Sequence, residues 1–180
     1  MTEAVTHRGW DPVVRALHGA LALSFLANAA LIDRHSLLHR WIGYGIVALV
    51  LARLAWGMIG PRHARFADFP PDLTAVAAQI RDLALGRRRQ PVGHAPLRAL
   101  MVCNLLAVML LLGLTGWIVT LPEATLGHDP EWAEELHELL SGWAVISVLV
   151  HIVVVVFLSL RTRVTLIRAM KPRRKTFLDE

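Results

Sequence analysis

Cysteine is almost missing from this chain of 180 residues. The single Cys103 lies inside an apolar run, so no disulfide can form within the chain. Without a Cys-x-x-Cys-His motif, covalent c-type haem attachment is excluded as well. Charge is also scarce: Asp, Glu, Lys and Arg make up 18% of the residues, where a soluble domain carries about 25%. No phosphate-binding glycine loop, serine triad or flavin fingerprint is present, so a self-contained enzyme is not expected. His137-Glu138 begins like a zincin His-Glu-x-x-His, but Ser141 stands at the fifth position and the motif fails. There is no internal repeat and no low-complexity segment.

What the chain has instead is hydrophobicity, at 55% of residues and a mean hydropathy of +0.49. Four apolar stretches, 13–32, 38–58, 97–121 and 135–160, each reach the roughly 20 residues that a helix needs to cross a bilayer. They predict an all-α, integral membrane four-helix bundle in a single domain, 1–180. Pro12, Pro61, Pro96, Pro122 and Pro130 punctuate the breaks. Ala27-Asn28-Ala29 has the look of a signal-peptidase site. The run before it is long enough to span and is interrupted by a histidine, so a retained first helix is expected. The fourth stretch is long enough to project beyond the bilayer at one end.

The net charge of +5 does not point to nucleic acid, because the basic residues flank the apolar stretches, where they set topology. With both termini in the cytoplasm, only Arg34 and Arg40 of the 19 Lys and Arg residues fall outside. Asp33, Glu123, Asp129, Glu131, Glu134, Glu135 and Glu138 fall outside with them. Arg87-Arg88-Arg89 and the basic tail, 161–180, stay inside. The orientation expected is therefore that of a multi-pass protein of a bacterial inner membrane. Trp41, Trp117 and Trp132 fall near the outer interface, Trp10 and Trp56 near the inner one. The cytoplasmic loop 61–96 contains an amphipathic stretch, Leu73–Leu85, expected as a short helix lying on the membrane surface.

Ionisable residues inside spans are costly and by default functional. Of nine histidines, four lie within or at the ends of the spans: His18, His39, His137 and His151. His137 and His151 are 14 positions apart, close to four helical turns and roughly 21 Å along the axis. They share one face of the last span, one near each membrane surface. The topology supplies a partner at each depth, His18 for His151 on the cytoplasmic side and His39 for His137 on the outer side. Neutral imidazoles from opposing helices can clamp a haem from both faces. Such a haem has no open axial position and moves electrons instead of activating ligands. Gly19, Ala20, Gly43, Gly45, Gly142, Gly113 and Gly116 could open a groove for the ring, though small residues also serve plain helix packing. Histidines that only hydrogen-bond across helices, or that line a metal-ion pathway, are the other readings of the same geometry.

Several segments together give the chain a family likeness. They are Trp10-Asp11-Pro12-Val13-Val14-Arg15-Ala16-Leu17-His18, His39-Arg40-Trp41-Ile42-Gly43-Tyr44, and Arg53-Leu54-Ala55-Trp56-Gly57 through Ala64-Arg65-Phe66. Gly93-His94-Ala95-Pro96-Leu97, Glu135-Leu136-His137-Glu138 with His151, and Arg168-Ala169-Met170-Lys171 complete the set. Over nearly its whole length the chain resembles the bacterial cytochrome b561 group, most closely the b-type cytochrome subunit of nickel–iron hydrogenases. It departs from that pattern at Gly19, where the family usually has Trp, and at Arg161-Thr162-Arg163, where a further His is common. Neither position is a ligand. The resemblance implies two non-covalent haem b groups, His18 and His151 holding the cytoplasmic-side one and His39 and His137 the outer one. It also implies a quinone site near the inner haem and an outer electron donor, often a separate periplasmic subunit.

Arg53, deep in the inner half of the second span, is a candidate contact for a haem propionate or a quinone, with a snorkelling arginine as the plain alternative. His94 belongs to the family motif and is a candidate for the same role. Arg15, Arg65 and Arg98 could act likewise, or serve only as topology signals. His7, His35, His63 and His128 fall in loops or tails and read as solvated.

The expected function is electron transfer across the bilayer between a periplasmic redox partner and the membrane quinone pool of a respiratory chain, in contact with membrane lipid. The chain itself would be the membrane subunit of a quinone-reducing oxidoreductase, and a homodimer is compatible with the sequence. A stand-alone superoxide or quinol oxidoreductase of the same fold is the near alternative. The acidic last outer loop repels a small anion and favours a basic protein surface. A divalent-metal transporter using the four histidines is the alternative of a different class. Transporters usually add intramembrane carboxylates, and no Asp or Glu lies mid-span here.

Overall fold

A computed structural model describes residues 11–61, 65, 73–85, 96–122 and 131–162. Among them the secondary structure is entirely helical: α1 (Pro12–Ala30), α2 (Leu37–Ile59), α3 (Leu73–Ala84), α4 (Pro96–Val119) and α5 (Glu131–Thr162). Four of these, all but α3, are long and apolar enough to cross a membrane. The expected all-α bundle of four spans is what forms.

Each end has a local cause. Pro12 occupies the first turn of α1, where a missing N–H costs nothing. Asp11 caps the helix by accepting from the Val13 and Val14 amides at 2.9 and 3.1 Å. The same carboxylate oxygen accepts from Trp56 Nε1 at 3.2 Å, which ties the start of α1 to the end of α2. Trp56 is thus a joint between helices as well as an interfacial aromatic. Between α1 and α2 the chain turns on Asp33, whose carboxylate accepts from the His35 amide at 2.7 Å. Ser36 then caps α2 through the His39 amide at 3.1 Å. Gly60 caps the end of α2, its N–H donating to the Trp56 carbonyl at 2.8 Å, and a Cβ there would run into that same carbonyl.

The last helix begins at Glu131, earlier than the expected 135. Pro130 precedes it, and Glu131 and Glu134 put negative charge on the first turn, where the helix dipole favours it. Its 32 residues extend about 48 Å, well beyond the roughly 30 Å hydrocarbon layer. The amphipathic stretch does form a helix, α3. It buries Val76 and leaves Leu73 and Ile80 exposed. Its Gln79 side chain accepts from the Leu97 amide at 3.0 Å, so α3 is fastened to the start of α4.

Cross-helix contacts define an up-down-up-down order. The start of α1 meets the end of α2 through Asp11 and Trp56. Tyr44 in α2 meets Thr120, just after α4, through their hydroxyls at 3.4 Å. Asn104 in α4 donates to Ser147 of α5 at 2.9 Å and accepts from Trp143 Nε1 at 3.2 Å. The core is small: Ile46 and Val50 of α2, Val108 and Met109 of α4, and Ala144 of α5. At the α2–α4 crossing Gly113 lies against Val47 so closely that a Cβ would collide with the valine methyl. Packing joins α1 to α2, α2 to α4 and α4 to α5, whereas the backbones of α1 and α2 scarcely approach that of α5. A gap therefore separates α5 from the α1–α2 hairpin.

Candidate functional site

The four histidines bridge that gap. His18 of α1 and His151 of α5 face each other near the Asp11 end of the bundle, with ring centroids 6.1 Å apart and planes at 46°. Near the opposite end, beside the Ser36 cap, His39 of α2 and His137 of α5 lie 6.5 Å apart at 75°. Both depth-matched pairs read from helical spacing are therefore juxtaposed. Each connects two helices that otherwise hardly touch.

The α5 rings are held from behind by α4, a helix without a histidine. Thr115 is buried, at 3% exposure. Its hydroxyl donates to the carbonyls of Leu111 and Leu112, at 2.9 and 3.2 Å. His137 Nδ1 lies 3.0 Å from the same oxygen. With the hydroxyl proton committed to the backbone, Thr115 can only accept from the ring, which makes Nδ1 the protonated nitrogen of His137. Gly116 gives the ring its place, since a Cβ there would stand 3.2 Å from His137 Cε1. His151 Nδ1 meets Met101 Sδ at 2.7 Å. A thioether has no proton to give and is at best a weak acceptor. In His137 Nε2 is therefore left with the lone pair that can bind a metal.

Two imidazoles that share one metal at about 2 Å each put their centroids roughly 6 Å apart, which is the separation of both pairs. A Cβ added at Gly19, next to His18, or at Gly43, one turn from His39, would meet nothing within 4 Å, while Gly45 and Gly142 are exposed on the surface of the bundle. His39 Nδ1 and Asn28 Oδ1 are buried without a hydrogen-bond partner among the described residues, and buried polar atoms left in this way ask for a further group. Two imidazole nitrogen donors per site at this separation, with no third His, Cys, Asp or Glu converging on them among the described residues, suit a bis-imidazole haem.

Arg53 is half-buried at the Asp11 end of α2, within electrostatic reach of the Asp11 carboxylate. Arg65 donates from Nε to the Gly60 carbonyl at 2.6 Å and so closes the end of α2. His94 lies outside the described residues, as do His7, His63, His128 and Trp10, and nothing is described of the Arg98 side chain. At the Ser36 end an exposed ion pair, Arg34 to Glu138 at 3.5 Å, links the α1–α2 turn to α5. Thr115 and Met101 are the two site residues that sequence reasoning missed. Thr115 left a signal, a hydroxyl between Gly113 and Gly116 at the depth of His137. Met101 left none in an apolar helix.

Fold and site together define a multi-pass membrane protein in which imidazoles are paired across helices. The chain belongs to the prokaryotic cytochrome b561 family, whose model matches residues 9–173. It is accordingly a bacterial membrane b-type cytochrome that binds haem and serves electron transfer. No curated protein and no solved structure matches it.

Proposed function

We propose that the chain carries two haem b groups and conducts electrons across the bacterial inner membrane, between a periplasmic redox protein and the quinone pool. The observation that carries this reading is the pair of imidazole juxtapositions, His18 with His151 at 6.1 Å and His39 with His137 at 6.5 Å. When bound, each haem would supply a one-electron iron couple. The residues supply the rest. His39 and His137 would hold the outer group and His18 and His151 the inner one. Ser36 fixes the first turn of α2, and with it His39. Thr115 orients the His137 ring, and Met101 packs against that of His151. The apolar helices keep water away from the iron ligands.

Orientation follows the basic residues, with both termini and α3 on the cytoplasmic side. That assigns the Asp11 end to the cytoplasm and the acidic first turn of α5 to the periplasm. Arg53 and His94 would serve a haem propionate or a quinone at the inner side, where α3 fastened to α4 can wall a site open to lipid. The likeness to the hydrogenase b-type cytochrome subunit supports a separate periplasmic donor, and Glu131, Glu134, Glu135 and Glu138 at the start of α5 offer that donor an acidic surface. A divalent-metal transporter would want three or more converging ligands, and among the described residues no such group of His, Cys, Asp or Glu exists.

The test is the absorption spectrum of detergent-purified protein with its haem-to-chain ratio. Two haems per chain with low-spin, six-coordinate spectra are expected. Colourless protein that binds zinc or another divalent ion in place of haem would sink the proposal.

A further inference from the structure

We infer that α4, which contributes no ligand, sets the outer haem site to a lower reduction potential than the inner one through Thr115, whereas Met101 gives the inner site no comparable acceptor, a role that rests on the two-haem reading above. Both α5 histidines present Nδ1 to α4, but the acceptors are unlike. His137 meets an oxygen, Thr115 Oγ1, at 3.0 Å, and that hydroxyl is itself polarised by donating to the Leu111 carbonyl at 2.9 Å. His151 meets a thioether sulfur, Met101 Sδ, a weak acceptor. A second-shell acceptor on the distal N–H of a ligating imidazole draws the proton away from the ring and raises the basicity of the metal-bound nitrogen. A more basic axial ligand favours the oxidised iron. On this ground the His39–His137 site has the lower potential of the two, and Thr115 is a positioning and tuning residue and not a catalytic one.

The position of Thr115 supports a dedicated contact. It is one of two polar residues buried among those described, with Ser147. Ser147 is accounted for by its bond with Asn104, which joins α4 to α5. Thr115 is satisfied by its own helix through Leu111 and Leu112 and still turns its remaining lone pair on the His137 ring. Gly116, the next residue, lets that ring approach, since a Cβ there would crowd it at 3.2 Å. Threonine and glycine together hold the Nδ1 edge of the imidazole against α4.

The experiment is a potentiometric titration of the full-length protein with both haems bound, for the parent, Thr115→Val, Thr115→Ser and Met101→Leu. The outer component is identified as the one missing from His137→Ala. Thr115→Val should raise the outer potential by about a tenfold change in the oxidised-to-reduced ratio at fixed potential, close to 59 mV for one electron, with the inner component unmoved. Thr115→Ser, which restores the hydroxyl, should return the parent value, and Met101→Leu should move neither component appreciably. Loss of the outer haem from Thr115→Val but not from Thr115→Ser would support the same role, because only the hydroxyl separates them. Unmoved potentials with both haems present, equal shifts of both, or loss of the outer haem from Thr115→Ser would each overturn it. A parent protein with no haem would instead overturn the two-haem reading itself, so the two failures are distinct.

Discussion

Gly113→Ala tests whether the α2–α4 crossing sets the outer ligand pair. A Cβ on residue 113 collides with the Val47 side chain. Valine in a helix is nearly confined to one χ1 rotamer, so it cannot swing aside. The helices must separate or rotate, and overpacking of this kind costs about 1–3 kcal/mol. For a chain of this length that lowers a melting midpoint by roughly 2–4 °C per kcal/mol. The displacement should also be read at the site. His39 rides on α2 and Thr115 and Gly116, which seat the His137 ring, ride on α4, so moving these helices apart misaligns the outer pair. His18 and His151 bridge α1 and α5 and should be spared. The assay is thermal denaturation of purified protein with reduced-minus-oxidised difference spectra at each temperature. The outer haem should be lost first and earlier than in the parent, and Val47→Ala placed on the same chain should restore both midpoint and haem. A Gly113→Ala protein as stable as the parent, or a double variant no better than the single one, would refute the reasoning.

Asn104→Leu removes the bonds to Ser147 and Trp143. Interhelical hydrogen bonds in bilayers average about 0.6 kcal/mol each, so unfolding in mixed micelles should show a loss of about 1 kcal/mol with both haem signals kept. Reporter fusions should place both termini in the cytoplasm; alkaline phosphatase activity from a C-terminal fusion would invert the bundle and exchange the two haem sides. Substituting Arg53 by Gln or His94 by Ala should slow oxidation of the inner haem by a quinone analogue while both haems remain bound. Unchanged rates in both variants would remove these residues from the quinone site.

The spans were legible because hydrophobic length and flanking charge are one-dimensional properties that the bilayer reads directly. The histidine pairing was nearly as legible: 14 positions on one helix, with one partner per depth, leave few arrangements in an up-down bundle. Helix ends were read less closely. The last helix starts at Glu131 because charged first-turn residues satisfy the dipole, although they carry no hydrophobic signal. The support from α4 was hidden for a different reason. Thr115 and Met101 act through the azimuth at which α4 meets α5, and a helix apolar on all sides gives no periodicity from which that azimuth could be read. Gly113 and Gly116 were recognisable as small residues, but only the packing separates their uses, one against Val47 and the other against the His137 ring.

The most direct measurement is the haem content and difference spectrum of four single variants, His18→Ala, His39→Ala, His137→Ala and His151→Ala, purified alongside the parent. The pairing predicts two classes. His39→Ala and His137→Ala should lose one and the same haem, and His18→Ala and His151→Ala should lose the other, each variant keeping about half of the parent's haem. Variants that sort in any other combination, with His39→Ala sharing its loss with His18→Ala for example, or a parent that holds a single haem, would contradict the two-site account.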